Sequence, residues 1–182
     1  YVGVIHRLDK PVQGILVYAK TKEAAGALSR QITEGKVEKI YLAVICGKPV
    51  EKEGTFVDYL RKEPRGNESR VVDKGEPGGK RAQLSYQVCG SIEREGESLS
   101  LVRIRLGTGR HHQIRVQFSS RGLPLWGDNR YHPDFQSGKR RGSIALCAAG
   151  LAFTHPVTGE RMAFSINPRG MAFSWFLPVE TA

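Results

Sequence analysis

The apolar residues of this chain come in short runs stopped by glycine or proline, and that punctuation constrains the fold more than any other feature. Residues 39–46 (KIYLAVIC) have strand length, carry β-branched and aromatic side chains, and end at Gly47 and Pro49. Residues 14–19 (GILVYA) predict a second buried strand. Residues 82–90 alternate through Leu84, Tyr86 and Val88. Residues 99–106 set Val102, Ile104 and Leu106 on one face against Leu101, Arg103 and Arg105 on the other. A hairpin is expected from 151–153 and 161–166 around His155-Pro156-Val157-Thr158-Gly159. Helical spacing is rarer. Residues 22–32 carry Ala24, Ala25, Leu28 and Ile32, with Thr21 to cap and Gly35 to stop. A second helix is expected over 111–120, turned in by Thr108-Gly109-Arg110, buried through Ile114 and Phe118, and closed by Gly122. Residues 51–80 read as a long polar excursion with one short strand near 55–60. Many strands and few helices give an α+β fold with a mixed or antiparallel sheet.

At 182 residues the chain suffices for one well-buried domain. Its 28 Lys and Arg outnumber 18 Asp and Glu, giving a net charge of +10. A surplus spread along the chain favours a polyanionic partner through counterion release. Three cysteines, Cys46, Cys89 and Cys147, form no CxxC pair, so neither a zinc framework nor a disulfide framework is expected. Cys46 and Cys89 read as small core residues in a reducing cytoplasm. No apolar run approaches the roughly 20 residues of a membrane span.

Three clusters carry candidate chemistry. In His6-Arg7-Leu8-Asp9-Lys10, basic neighbours favour an ionised Asp9. The segment stands beside a buried run, where catalytic loops are common, although a surface ion pair would look the same. In Lys39-Ile40-Tyr41, alternation puts Lys39 and Tyr41 on one face, suited to phosphate and base stacking or to simple core packing. Thr108-Gly109-Arg110-His111-His112-Gln113-Ile114-Arg115 gathers cations and hydrogen-bonding groups at a turn. Its adjacent histidines lack HxxxH or HExxH spacing, so no metal is expected.

Taken in order, HRLDKPVQGILVYAKT, KIYLAV and LGTGRHHQIRVQFSSRGLPLWGDNRY resemble the signature segments of the RluA-like RNA pseudouridine synthases, over nearly the whole chain. The resemblance implies a largely antiparallel central sheet with flanking helices and a basic catalytic cleft. It implies an isomerase that converts uridine to pseudouridine in ribosomal RNA or, next, transfer RNA, acting as a cytoplasmic monomer without a cofactor. It assigns Asp9 as the catalytic carboxylate, Tyr41 as the residue stacked on uracil, and Arg115 as the ionic partner of Asp9. Arg7, Lys39, Arg110, His112 and Gln113 become the expected RNA contacts, with Arg7, Arg110, His112 and Gln113 alternatively supporting the catalytic residues. Asp9 acts either as a nucleophile or by removing a sugar proton. Gln13 stands where the family usually has Thr or Ser, which implies a local difference in packing or RNA contact. The family usually carries an upstream segment, so the expectation is one catalytic domain over 1–182 lacking that segment. The competing readings are a non-catalytic RNA-binding module of the same fold and a nuclease built on His and Arg.

Overall fold

The computed structural model describes residues 1–176; residues 177–182 of the expected domain lie outside that description. The elements run β1 (Gly3–Val4), β2 (Gln13–Gly14), β3 (Tyr18–Ala19), α1 (Lys22–Thr33), β4 (Glu38–Cys46), β5 (Glu53–Lys62), β6 (Ser69–Val72), β7 (Lys80–Arg94), β8 (Glu97–Leu106), α2 (Gln113–Ser119), α3 (Pro133–Gln136), β9 (Leu146–Thr154), β10 (Arg161–Ser165) and α4 (Met171–Ser174). Among the described residues, eight strands form one sheet in the order β10-β9-β4-β8-β7-β5-β6, with β2 added beside β9. The β2–β9 pair is parallel and the other pairs in this sheet are antiparallel. The sheet is therefore mixed and largely antiparallel, as expected.

β4 lies inside the sheet and is buried on both faces, which is why KIYLAVIC is a continuous apolar run. Tyr41, Ala43 and Ile45 join Val102, Ile104, Ile114 and Phe118 in a front core. Leu42, Val44 and Cys46 join Leu101, Trp126, Phe135 and Phe173 in a back core. The expected faces of 39–42 and of 99–106 are thus the observed ones. On the front, Phe56, Tyr86 and Phe118 meet with ring centroids 4.9–5.7 Å apart.

Elsewhere the structure departs from the sequence reading. The segment 14–19 is no single buried strand, because the chain changes partner within it: β2 pairs with β9 and β3 pairs with β1. The polar excursion 51–80 holds two strands, β5 and β6, paired with each other. Their apolar signal was weak because β5 is only half covered, alternating exposed and partly buried residues. Cys89 is exposed although its run is apolar. It sits at a bulge, between the pairs Val88–Val102 and Gly90–Leu101, where one strand carries an extra residue. β9 begins at Leu146, five residues before the expected hairpin strand, in a stretch of small residues with low strand propensity.

Phe118 is fully buried between the sheet and α2. Phe118→Ala should lower unfolding free energy by ~3–5 kcal/mol, measured by urea denaturation.

Candidate active site

Asp9 is placed by short pairings on either side of its loop. The chain leaves β1, turns with the Val12 N–H donating to the Asp9 carbonyl at 2.8 Å, and returns as β2. Leu8 and Val12 pack on the front core and anchor the loop. Gly14 has φ +144, and a Cβ there would stand 2.4 Å from the Cβ of Ala148. Only glycine lets β2 approach β9 this closely. Beside it, the pairing of β4 with β9 slips between Ile40 and Leu42, a bulge at the position of Tyr41. Bulges of this kind re-aim side chains next to sites.

Asp9, Lys39, Tyr41 and Arg115 line one cleft of about 1190 Å³, together with Arg7 and Arg110. Seven Lys or Arg side chains line it against two carboxylates, Asp9 and Glu38. The sequence-predicted catalytic residues are therefore brought together in a basic groove. Tyr41 is 8% exposed and its hydroxyl makes no hydrogen bond among the described residues. Its pKa is pushed up to about 12, by burial first and by the Asp9 carboxylate second, so the phenol stays protonated. Lys39 is half-buried with no carboxylate partner among the described residues, and burial lowers its pKa.

Arg115 is held differently from expectation. Its Nε donates to Asp128 Oδ2 at 2.8 Å and its Nη2 to Asp128 Oδ1 at 2.7 Å. Asp9 Oδ2 lies 3.6 Å from Nη1, an ionic contact longer than a hydrogen bond. Asp128, fully buried, is the true fork partner, and the Asp9 side chain keeps 28% exposure. Burial opposes the Arg115 charge, but hydrogen bonding to Asp128 and its charge, followed by Asp9, outweigh it and raise the pKa. Asp128 Oδ1 also accepts from the N–H groups of Arg130 and Tyr131, which closes the Gly127–Tyr131 turn around it. No periodicity or spacing in the sequence reading pointed to Asp128 or Tyr131, although both lie in the GDNRY segment that carried the resemblance.

Helix α2 starts later than expected because His112 has φ 54, in the left-handed region. Two of the expected RNA contacts, His112 and Gln113, line the cleft but are largely buried. Gln113 is 3% exposed; its Oε1 accepts from the Thr108 hydroxyl at 2.7 Å and the Arg110 N–H at 3.0 Å, and its Nε2 donates to the Gln83 carbonyl. It builds the turn and presents no free group. His112 is 6% exposed, with Nδ1 2.7 Å from the Tyr131 hydroxyl. Arg7 and Arg110 are exposed, and Arg110 is steadied by its Nε donating to the Arg81 carbonyl. The β5–β6 hairpin supports the histidines: Ser69 Oγ lies 2.8 Å from His111 Nδ1, and His111 stacks on His112.

One group has the donor set of a metal site. Cys46, Glu97 and His132 bring a thiol, a carboxylate and an imidazole within 4.8 Å of one another. Burial, with Glu97 next, pushes the Cys46 thiol up to about 12, and Arg140 holds Glu97 at 2.7 Å. The guanidinium already supplies the positive charge a cation would bring.

The family model described as RNA pseudouridylate synthase matches residues 1–120. The chain belongs to the RNA pseudouridylate synthase family. Among relatives, the dual-specificity RNA pseudouridine synthase RluA of Yersinia pestis is 35% identical over 162 residues, 88% of this chain and 75% of that protein. The ribosomal large subunit pseudouridine synthase D of Zymomonas mobilis is 34% identical over 168 residues, 89% of this chain and 51% of that protein. The solved structure of human RNA pseudouridylate synthase domain containing 1 superposes with a TM-score of 0.78 at 27% identity, covering 92% of this chain and 69% of that one. The chain spans about half the length of several curated relatives it matches. Among the described residues, no helix is long and apolar enough to cross a membrane.

His112 couples this site to pH. Burial first, then Arg115, lowers its pKa to about 3, against about 6.5 for an unfolded histidine. Between those values the unfolded chain binds a proton that the folded chain does not. The stability contribution is complete above pH 6.5 and is lost as pH falls toward 3. In urea titrations between pH 7 and 4, His112→Gln should flatten the acid-side loss by up to about 1.4 kcal/mol per pH unit, one proton's worth.

Proposed function

We propose that this chain carries the catalytic site of an RNA pseudouridine synthase, with Asp9 as the essential carboxylate. The observation that carries the reading is the meeting of Asp9, Tyr41 and the Asp128-held Arg115 in one basic cleft of a pseudouridylate synthase fold. In this isomerisation the N1–C1′ bond of uridine breaks, the uracil turns, and C5 bonds to C1′. C5 loses a proton and N1 gains one, so no electrons are exchanged.

Each side chain suits a part of that reaction. Asp9 acts at the ribose or the base, as a nucleophile or by taking a sugar proton. Tyr41, neutral and with an uncommitted hydroxyl, stacks on the detached uracil and keeps it from diffusing away. Arg115, with Nη1 3.6 Å from Oδ2, orients the Asp9 carboxylate. Lys39, a half-buried cation without a carboxylate, takes an RNA phosphate or a uracil oxygen, and Arg7 and Arg110 on the rim take phosphates. The target uridine must leave its stack to reach Asp9, at a cost of a few kcal/mol that stacking and phosphate contacts offset.

Large-subunit ribosomal RNA is the proposed substrate, in line with the name of the Zymomonas mobilis relative, and transfer RNA is the second choice. Three free cysteines fit a reducing compartment such as the cytoplasm, where the chain is proposed to act as a monomer.

Because C5 must release its hydrogen, RNA tritiated at uridine C5 reports turnover directly. Asp9→Asn should reduce tritium release at least about 10³-fold while RNA affinity stays within about 2-fold. A variant with wild-type turnover would remove Asp9 from the chemistry. RNA binding without tritium release by the unaltered chain would favour a binding module.

A further inference from the structure

The two oxygens of Asp9 are not equivalent. His112 Nε2 lies 3.7 Å and Arg115 Nη1 3.6 Å from the same atom, Oδ2. Neither Asp9 carboxylate oxygen accepts a hydrogen bond among the described residues, and both groups make their nearest approach to Oδ2. The nature of the His112 approach depends on which ring nitrogen carries the proton, and the surroundings decide it. The Tyr131 oxygen accepts the backbone N–H of Ser69 at 2.8 Å. Its own proton has one acceptor within reach among the described residues, His112 Nδ1 at 2.7 Å. With Nδ1 accepting, the imidazole proton must sit on Nε2, facing Asp9.

We infer that His112 is a positioning residue, a neutral imidazole locked by Tyr131 as the Nε2–H tautomer, which together with Arg115 holds Oδ2 of Asp9 and leaves Oδ1 as the reacting oxygen. Three further observations agree. His112 is buried among Arg115, Arg130 and His111, surroundings that oppose a second proton on the ring. Its backbone stays in the left-handed region, a conformation a non-glycine residue keeps only when its contacts over-determine it. His111 stacks on it at 3.8 Å between centroids and is itself tied to Ser69 and Asn67, so the β5–β6 hairpin fixes the ring plane. The Nε2–H contact to Asp9 is longer than a hydrogen bond here, and catalytic contacts commonly tighten only when substrate is bound.

The functional half of this inference rests on the proposed pseudouridine synthase activity; the tautomer does not. The whole chain, labelled with ¹⁵N-histidine, reports the tautomer through two-bond proton–nitrogen correlations at neutral pH. His112 should appear as the Nε2–H form, and Tyr131→Phe should turn it into a mixture. An Nδ1–H or doubly protonated ring in the unaltered chain would overturn the inference whatever the enzyme does. On tritiated RNA, Tyr131→Phe should lower the single-turnover rate at least about 10-fold with RNA affinity within about 2-fold, the pattern of a mis-set tautomer. His112→Gln, which keeps an N–H donor, should retain more rate than His112→Leu. Equal rates in Tyr131→Phe and the unaltered chain, or equal losses in the two His112 variants, would overturn the positioning role. A folded, unaltered chain that converts no uridine sinks the functional reading, while the spectrum still decides the tautomer.

Discussion

The fork between Arg115 and Asp128 organises the site. Both side chains are almost completely buried, and their two hydrogen bonds are 2.7 and 2.8 Å long. A buried pair of this kind adds little net stability, but breaking it leaves an uncompensated charge that costs ~3–5 kcal/mol. Its value lies in direction. With Nε and Nη2 committed to Asp128, Nη1 has one orientation left, toward Asp9. The same carboxylate receives the backbone of Arg130 and Tyr131, so the turn that brings Tyr131 to His112 is built around it. One buried acid thereby aims both groups that face Asp9.

The sheet supplies the rigidity behind that arrangement. β4 is packed on both faces and delivers Tyr41 at a bulge, beside the place where β2 docks on β9. The Asp9 loop is exposed enough to meet RNA yet anchored at Leu8, Val12 and Gly14. Loops held this way place function on a stiff scaffold. Part of the positive charge that the composition announced is gathered at the cleft, where seven Lys or Arg side chains face two carboxylates, and Arg105 and Arg161 share one of these, Glu38.

Legibility in the sequence followed burial. Strands packed on one or both faces, β4 and β8, were readable to within a residue or two, and so was α1 with its Thr21 cap. The half-exposed β5 showed only its middle, the expected short strand near 55–60, and the short β6 was hidden, since an edge hairpin rich in Lys, Arg and Glu has no apolar run to reveal it. Asp9, Tyr41 and Arg115 were found through motif resemblance, not through periodicity. Asp128 escaped because an ion pair between a helix and a loop residue 13 positions on leaves no repeating pattern. His112 and Gln113 were expected at the RNA from the resemblance; their burial is something residue type does not reveal.

A double-mutant cycle on Arg115 and Asp128, read as single-turnover tritium release, tests the central claim most directly. If Asp128 acts by aiming Arg115, Asp128→Asn should slow the unaltered chain strongly and have little further effect on Arg115→Met, a coupling of at least about 1 kcal/mol. Equal losses in the two backgrounds would mean that the acid and the guanidinium act independently, and would contradict the account.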